Sequence, residues 1–199
     1  MDIDFFVTAI RERFSKTNNI TDMSEKQLQI LITDILLDNG HKVFMEYPYP
    51  SNPKEECDIV VTAKNDFNNI ENWIEIKSMI SPDREYYCNY WNVSKFFNEA
   101  SFKHDIQKLA RASKIAPAWF ILFMFIEQDS IDRNVMENPK KRKALTPAQV
   151  VQTISCWTSE KPVATELIKE DRLYCHIFLW YVHHFNEIEF QNSQYVIFK

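Results

Sequence analysis

Apolar residues recur every three to four positions in four segments of the chain, and this spacing predicts four helices. The second helix has the clearest limits. Ser24 and Gln27 form a capping-box pattern at its start, and Asn39-Gly40 is a typical helix end. The predicted helices cover residues 2–16, 24–40 and 97–115 and a segment that begins around Pro147.

Other segments are apolar in continuous runs or at alternate positions, as strands are. Residues 118–128 are apolar on both faces, which is typical of a central strand covered by helices. The order of elements is α-α-β-β-β-α-β-α-β-β, and it predicts one α/β domain with a mixed sheet over residues 1–199. The predicted strands cover residues 41–49, two segments within 57–77, 118–128, 171–185 and, as a terminal edge strand, 194–199.

The two strands within residues 57–77 carry charge where a sheet interior would be apolar. Side chains alternate across a strand, so Glu75 and Lys77 share one face. On the preceding strand Cys57 points away from the face that carries Asp58. If the two strands pair antiparallel, Asp58 lies close to Glu75, and two carboxylates converge beside one ammonium group.

Two carboxylates in close proximity repel each other unless a cation lies between them. Carboxylate oxygens suit Mg²⁺ or Mn²⁺, which keep several waters when bound through one or two acids. Asp58 and Glu75 are therefore the candidate ligands, and the backbone carbonyl of Ile76 is a further one. Lys77 is placed to orient or deprotonate an attacking water, or to hold a phosphate through its charge.

The spacing of these residues resembles the signature of the PD-(D/E)xK nuclease superfamily. Asp58 is followed by sixteen residues and then by Glu75-Ile76-Lys77. The resemblance covers residues 24–127, and Cys57 stands where the signature has proline. It implies an α/β restriction-endonuclease-like fold, a mixed β-sheet flanked by helices in a single domain. Residues 24–127 would form the core, and a helix and strands within residues 146–199 would extend the sheet.

The resemblance also implies roles for individual residues. Asp58 and Glu75 would be metal ligands, and Lys77 would be the catalytic lysine. Family members often add a glutamate from the preceding helix, and Glu25 fits that place, with Glu46 as its competitor. They also often carry a polar residue on the following helix, for which the candidates are Gln107 and Lys108.

The helix that contains Gln107 and Lys108 is one candidate surface for DNA, and a basic loop that follows the central strand is another. Its net charge is positive in an otherwise acidic chain, so phosphate contacts are plausible and a solvated basic turn equally so. Aromatic residues in 86–97 alternate with polar ones, and packing over the sheet explains them more simply than base stacking does. The basic residues of the loop are Lys140, Lys141, Arg142 and Lys143.

Simpler explanations compete with each site residue. Asp58, Glu75 and Lys77 suit an ordinary cross-strand salt bridge. Glu25 at the start of its helix complements the helix dipole. His183 has no partner spacing that indicates a zinc site, and Gln107 and Lys108 suit a solvated helix face.

Composition narrows the class of protein further. A single glycine in 199 residues argues against glycine-rich nucleotide-binding loops. Four scattered cysteines suit free thiols in a reducing compartment, and the absence of a signal peptide or long apolar segment predicts a cytoplasmic protein without a membrane span. The net charge of -5 argues against nonspecific coating of nucleic acid but permits a local basic surface.

These observations and the resemblance together predict a Mg²⁺- or Mn²⁺-dependent deoxyribonuclease that hydrolyses phosphodiester bonds, and the resemblance suggests a restriction or defence type. Target choice would come from a homodimer or a partner protein. Two alternatives stay open: an inactive nuclease-fold module that binds nucleic acid or protein, and a plain protein-interaction domain. The sequence does not distinguish DNA from RNA as the substrate.

Overall fold

The computed structural model describes residues 2–16, 23–80, 102–127, 147–170 and 173–191. The predicted connection 81–100, the basic loop 140–143 and the predicted edge strand 194–199 lie outside these residues. Four longer helices and six strands are present in the described ranges. They are α1 (Ile3–Ser15), α2 (Glu25–Asp38), β1 (Lys42–Tyr49), β2 (Asn52–Ala63), β3 (Asp66–Ile80), α3 (Phe102–Ala112), β4 (Ala118–Glu127), α4 (Pro147–Thr158), β5 (Ala164–Glu170) and β6 (Leu173–Tyr181).

The strands form one six-stranded mixed sheet in the order β1-β2-β3-β4-β6-β5. β3 and β4 pair in parallel, and the other neighbours pair antiparallel. The parallel pair requires a crossover, which contains α3. The chain is thus an α/β domain whose central strand, β4, is buried as its two apolar faces predicted.

Each face of the sheet packs against its own pair of helices, which gives two hydrophobic layers. Helices α1 and α2 cover one face, where Phe14 and Ile32 meet residues such as Ile74 of β3. Helices α3 and α4 cover the other face, where Ile106 and Trp157 belong to the layer around Trp73. A short helix at 187–191 packs against this second layer through Phe190.

The ends of α2 follow the sequence prediction. The Ser24 side chain accepts a hydrogen bond from the backbone of Gln27, whose side chain accepts one from the backbone of Ser24. At the other end Gly40 has φ +74°, a left-handed conformation that glycine adopts without strain. The cap fixes where α2 starts, and this matters because Glu25 is its first residue.

Strands β2 and β3 pair antiparallel, as expected, with Ile59 opposite Ile74. The alternation of side chains is interrupted next to this pair. Cys57 packs in the same layer as Val60 and Trp73, whereas strict alternation would place it on the opposite face. The prediction that Cys57 points away from this layer is wrong, because the regular period of the strand does not continue through Asp58.

The C-terminal part of the sheet differs from the prediction. β5 was not predicted, and β6 is shorter than the predicted strand 171–185. β5 is an edge strand whose exposed positions alternate with partly buried ones, and its segment ATELIKE has no apolar run to mark it. Within the described ranges, no helix has the length and apolar character that a membrane crossing requires.

Candidate functional site

Asp58 directly precedes Ile59, where the backbone pairing of β2 with β3 begins. At Asp58 the side chain, and not the backbone, contacts β3. Its Oδ2 accepts a hydrogen bond of 2.6 Å from the backbone N–H of Ile76 on β3. Its Oδ1 accepts one of 2.7 Å from the Nε2 amide of Gln29 on α2. The carboxylate is therefore anchored from a strand and from a helix, and its orientation is fixed by both.

Glu75 of β3 is the most deeply buried acid of the site, with 1% of its surface exposed. Its Oε1 accepts a hydrogen bond of 2.8 Å from the Tyr49 hydroxyl and lies 3.1 Å from the Lys108 ammonium. Burial raises the pKa of Glu75 well above its ordinary value, and the charges of Asp105 and Asp58 raise it further. Lys108 and Lys77 oppose this rise in the pKa only in part.

Lys77, two residues beyond Glu75, forms ion pairs with acids from both flanking helices. Its Nζ lies 3.0 Å from Glu25 Oε1 on α2 and 3.0 Å from Asp105 Oδ2 on α3. Burial alone would lower the pKa of Lys77, but the surrounding carboxylates, Asp105 and Glu25 foremost, raise it above the ordinary lysine value. The side chain is therefore an ammonium ion at neutral pH.

Asp105 and Lys108 lie one turn apart on α3 and complete the site from that side. Asp105 Oδ1 is 2.7 Å from Lys108 Nζ, while its other oxygen contacts Lys77. The two lysines are thus joined through one carboxylate, and Lys108 also pairs with Glu75. These five residues form a row of alternating acids and bases, hereafter the charged network: Glu25, Lys77, Asp105, Lys108 and Glu75. Asp58 lies beside the charged network.

Gln29 on α2 also belongs to the site, one helical turn after Glu25. It is buried, and its Nε2 donates to Asp58. Its Oε1 is buried without a hydrogen-bond partner in the described part of the chain. An unsatisfied buried amide oxygen is costly, so its presence beside a carboxylate indicates a position that a water or an ion would complete.

The structure brings together five of the residues singled out in the sequence. Asp58, Glu75, Lys77, Glu25 and Lys108 lie at the site. Lys108 is buried there, and it is not on the solvated helix face that the sequence allowed.

Other candidates lie elsewhere. Gln107 donates to Glu187, and Glu46 pairs with Lys26 in an exposed contact. His183 pairs with Glu160. The four basic residues of the loop, Lys140, Lys141, Arg142 and Lys143, are outside the described ranges.

Sequence reasoning missed three residues of the site: Tyr49, Gln29 and Asp105. Two of them carry a usable signal. Gln29 is four residues after Glu25, and Asp105 is three before Lys108, so each shares a helix face with a residue that was singled out. Tyr49 has no such signal, because β1 reaches β3 only across β2.

The chemistry of the donor set suits a divalent cation. The site holds four carboxyl groups, those of Glu25, Asp58, Glu75 and Asp105, against two ammonium groups, so the acids outnumber the bases by two. Among the described residues, no group of three or more His, Cys, Asp or Glu is arranged to hold a metal ion. Mg²⁺ needs only one or two carboxylates because it keeps its waters, so the groups that could hold it here are Asp58, Glu75 and the Ile76 carbonyl.

The chain was compared with protein-family models, with curated proteins and with solved structures, and no match was found. The fold and the charged network are therefore the observations from which a function is inferred.

Proposed function

We propose that the protein is a metal-dependent deoxyribonuclease of the PD-(D/E)xK type that hydrolyses phosphodiester bonds. The observation that carries this proposal is that Asp58 from β2 lies close enough to Glu75 and Lys77 from β3 to act on their pKa values, in one largely buried, acid-rich site. Glu25 from α2 joins them through Lys77. A site that gathers more acids than bases away from water is costly for the fold, and such cost is common where a cation or a substrate is bound.

The order of elements around the site supports the same proposal. Helix α2, the antiparallel strands β1, β2 and β3, helix α3 and the parallel strand β4 follow each other in the order of the PD-(D/E)xK core, which is a helix, a three-stranded meander, a helix and a further strand. The two acids lie on the second and third of these strands. We therefore infer a restriction-endonuclease-like core, to which α1 and the C-terminal β5–β6 pair are added.

In this proposal Asp58 and Glu75 hold Mg²⁺ or Mn²⁺, with the Ile76 carbonyl as a further ligand. The bound ion would acidify a water and neutralise charge that develops on the phosphate. Lys77 donates hydrogen bonds to that charge or to the attacking water, because its raised pKa favours the ammonium form over a general base. Glu25 and Asp105 keep the Lys77 ammonium in place.

The proposed nuclease function also requires groups that contact DNA and a source of target choice. Lys108 is buried against Glu75, so we assign the contacts to the phosphate backbone of DNA to the basic residues of the loop, 140–143. Target choice is assigned to a homodimer or a partner protein, as in a restriction-type or defence nuclease. This assignment rests on the resemblance of the site and not on a recognition element.

The test is cleavage of supercoiled plasmid, linear DNA and RNA with Mg²⁺ or Mn²⁺. Asp58→Ala and Lys77→Ala are each expected to lower the cleavage rate at least ~100-fold, because each removes charge stabilisation at the reacting phosphate. Glu25→Ala is expected to lower it as well. The matched control is Glu46→Ala, which removes an exposed acid paired with Lys26 and should leave the rate unchanged. Cleavage that persists in both Asp58→Ala and Lys77→Ala would reject this site.

A second function is favoured by one observation. Each lysine of the site already lies between two carboxylates, and both oxygens of Asp58 already accept hydrogen bonds. Such a network suits an inactive nuclease-fold module that binds nucleic acid or a protein partner. A module of this kind would retard DNA in a gel without cutting it, and its affinity would fall as salt rises.

Thermal unfolding with and without divalent ions separates the two functions. For the nuclease, Mn²⁺ at one hundred times its dissociation constant is expected to stabilise the fold by about 2.7 kcal/mol. For a chain of 199 residues this corresponds to a midpoint about 5–10 °C higher. Asp58→Ala should abolish this rise in the midpoint. The reference midpoint is measured in a buffer that contains EDTA and no added divalent ions. An unchanged midpoint in the wild type supports the inactive module.

A further inference from the structure

Tyr49, the last residue of β1, reaches Glu75 from two strands away. Its side chain is buried with 1% of its surface exposed, and its hydroxyl donates to Glu75 Oε1 at 2.8 Å. The ring stacks on Trp73, with centroids 5.2 Å apart and planes inclined by 15°. Because Trp73 is itself fully buried in β3, the phenol has little freedom to turn.

Lys108 approaches the same oxygen of Glu75 from α3. Its Nζ lies 3.1 Å from Oε1 and 5.4 Å from the centroid of the Tyr49 ring. A phenol from β1 and an ammonium group from α3 thus converge on one carboxylate oxygen. Together they hold Oε1, and a carboxylate has a second oxygen, Oε2, through which it can bind a ligand.

We propose that Tyr49 is a positioning residue for the divalent ion: with Lys108 it holds Oε1 of Glu75, so that Glu75 binds the ion through Oε2 alone. This inference rests on the proposed function, because it requires a metal at Glu75. Residues that hydrogen-bond a metal ligand orient it and set its basicity, and losing one typically weakens metal affinity 10–100-fold. Tyr49 would therefore act on the ion without touching it.

Tyr47 offers a matched control on the same strand. It packs against the same Trp73 ring, with centroids 6.2 Å apart in an edge-on arrangement. No hydrogen bond joins it to Glu75 in the described structure. Tyr47→Phe and Tyr49→Phe each remove one hydroxyl and keep a ring that packs on Trp73, so both variants should fold. They differ in what the hydroxyl contacts, because that of Tyr49 reaches Glu75 and the Cys57 thiol.

The experiment measures Mn²⁺ affinity by calorimetric titration of the full chain, alongside the dependence of plasmid cleavage on Mn²⁺ concentration. Tyr49→Phe is expected to bind Mn²⁺ about 10–100-fold more weakly, while Tyr47→Phe stays within about twofold of the wild type. Cleavage by Tyr49→Phe should return to near the wild-type maximal rate when Mn²⁺ is raised above the weaker dissociation constant. A merely structural role for the hydroxyl would not produce this recovery.

The outcomes separate the inference from the function on which it rests. If the wild type binds Mn²⁺ through Asp58 and Tyr49→Phe binds it equally well, the metal site stands and the role of Tyr49 is rejected. If Tyr47→Phe weakens binding as much as Tyr49→Phe, the effect belongs to the packing around Trp73 and the inference is again rejected. If the wild type binds no Mn²⁺, or Asp58→Ala binds it unchanged, the proposed function itself fails and the inference with it.

Discussion

Replacement of Lys108 by methionine is expected to lower the free energy of unfolding by about 3–5 kcal/mol near pH 8. Methionine keeps an unbranched side chain that is one atom shorter and removes the charge. The ammonium lies 3.1 Å from Glu75 and 2.7 Å from Asp105, and both acids are buried. Removing it leaves two neighbouring carboxylates out of water with less compensation, which costs far more than the loss of an exposed ion pair.

The effect of Lys108→Met should depend on pH, and its sign follows from Glu75. Burial, Asp105 and Asp58 raise the pKa of Glu75 above its ordinary value, and Lys108 lowers it in part. In the variant this opposing influence is lost, so the pKa of Glu75 rises further. A carboxyl whose folded pKa exceeds its unfolded pKa binds its proton more tightly when folded. Its contribution to stability is full below the unfolded value of 4.5 and is lost as the pH rises toward the folded pKa.

Urea unfolding at pH 5 and pH 8 measures this dependence. The deficit of Lys108→Met should shrink at pH 5, and Glu75→Gln in the same background should restore part of the stability at pH 8. The control is Lys103→Met on the same helix, whose ammonium lies 3.9 Å from the half-exposed Glu187. This change should cost less than about 1 kcal/mol. A Lys108→Met deficit equal to that of Lys103→Met, or independent of pH, would contradict the charged network.

The parts of the site that sequence could predict are those that local geometry determines. Asp58, Glu75 and Lys77 come from two consecutive strands joined by a short turn, so antiparallel pairing is sufficient to bring them to one end of the hairpin, although the period of two does not continue through Asp58. Glu25 is placed by the cap of α2, which the Ser24–Gln27 pattern marks in the sequence. These inferences need no knowledge of how distant elements pack.

The parts that sequence could not predict depend on the arrangement of distant elements. Neighbouring helical positions point about 100° apart, so only one of Gln107 and Lys108 can face the sheet, and the choice depends on how α3 is rotated in its crossover. The structure turns Lys108 inward and Gln107 toward Glu187. Tyr49 is likewise placed by the order of three strands, which its own neighbours in the sequence do not encode.

The edge of the sheet shows the same limit for the fold. Among the described residues β5 pairs with β6 alone, and every second position of β5 is exposed, so packing imposes no apolar run on its sequence. Charged residues within ATELIKE, such as Glu166 and Lys169, therefore make the segment look unlike a strand in the sequence. It nevertheless forms one, because it pairs with β6 in a hairpin. Buried strands such as β4 are recognisable from composition, whereas edge strands are recognisable only when their partner is known.

Replacement of Phe14 by alanine is expected to lower the free energy of unfolding by about 3–5 kcal/mol. Phe14 is fully buried near the end of α1, and its ring stacks on Phe123 of β4 at a centroid distance of 5.7 Å. Alanine would leave a cavity between α1 and the central strand, which the close-packed layer cannot fill by small movements. For a chain of 199 residues the midpoint of thermal unfolding should fall by about 6–20 °C.

Phe5 on the same helix is the matched control. Half of its surface is exposed, so Phe5→Ala should change the free energy of unfolding by less than about 1 kcal/mol. Equal losses in the two variants would show that α1 does not pack on β4 through Phe14. Phe14 also lies in the layer on the other face of the sheet from Trp73 and Tyr49. Well below its unfolding midpoint, Phe14→Ala should therefore bind Mn²⁺ as the wild type does, because the cavity lowers the stability of the fold without altering the ligands on β2 and β3.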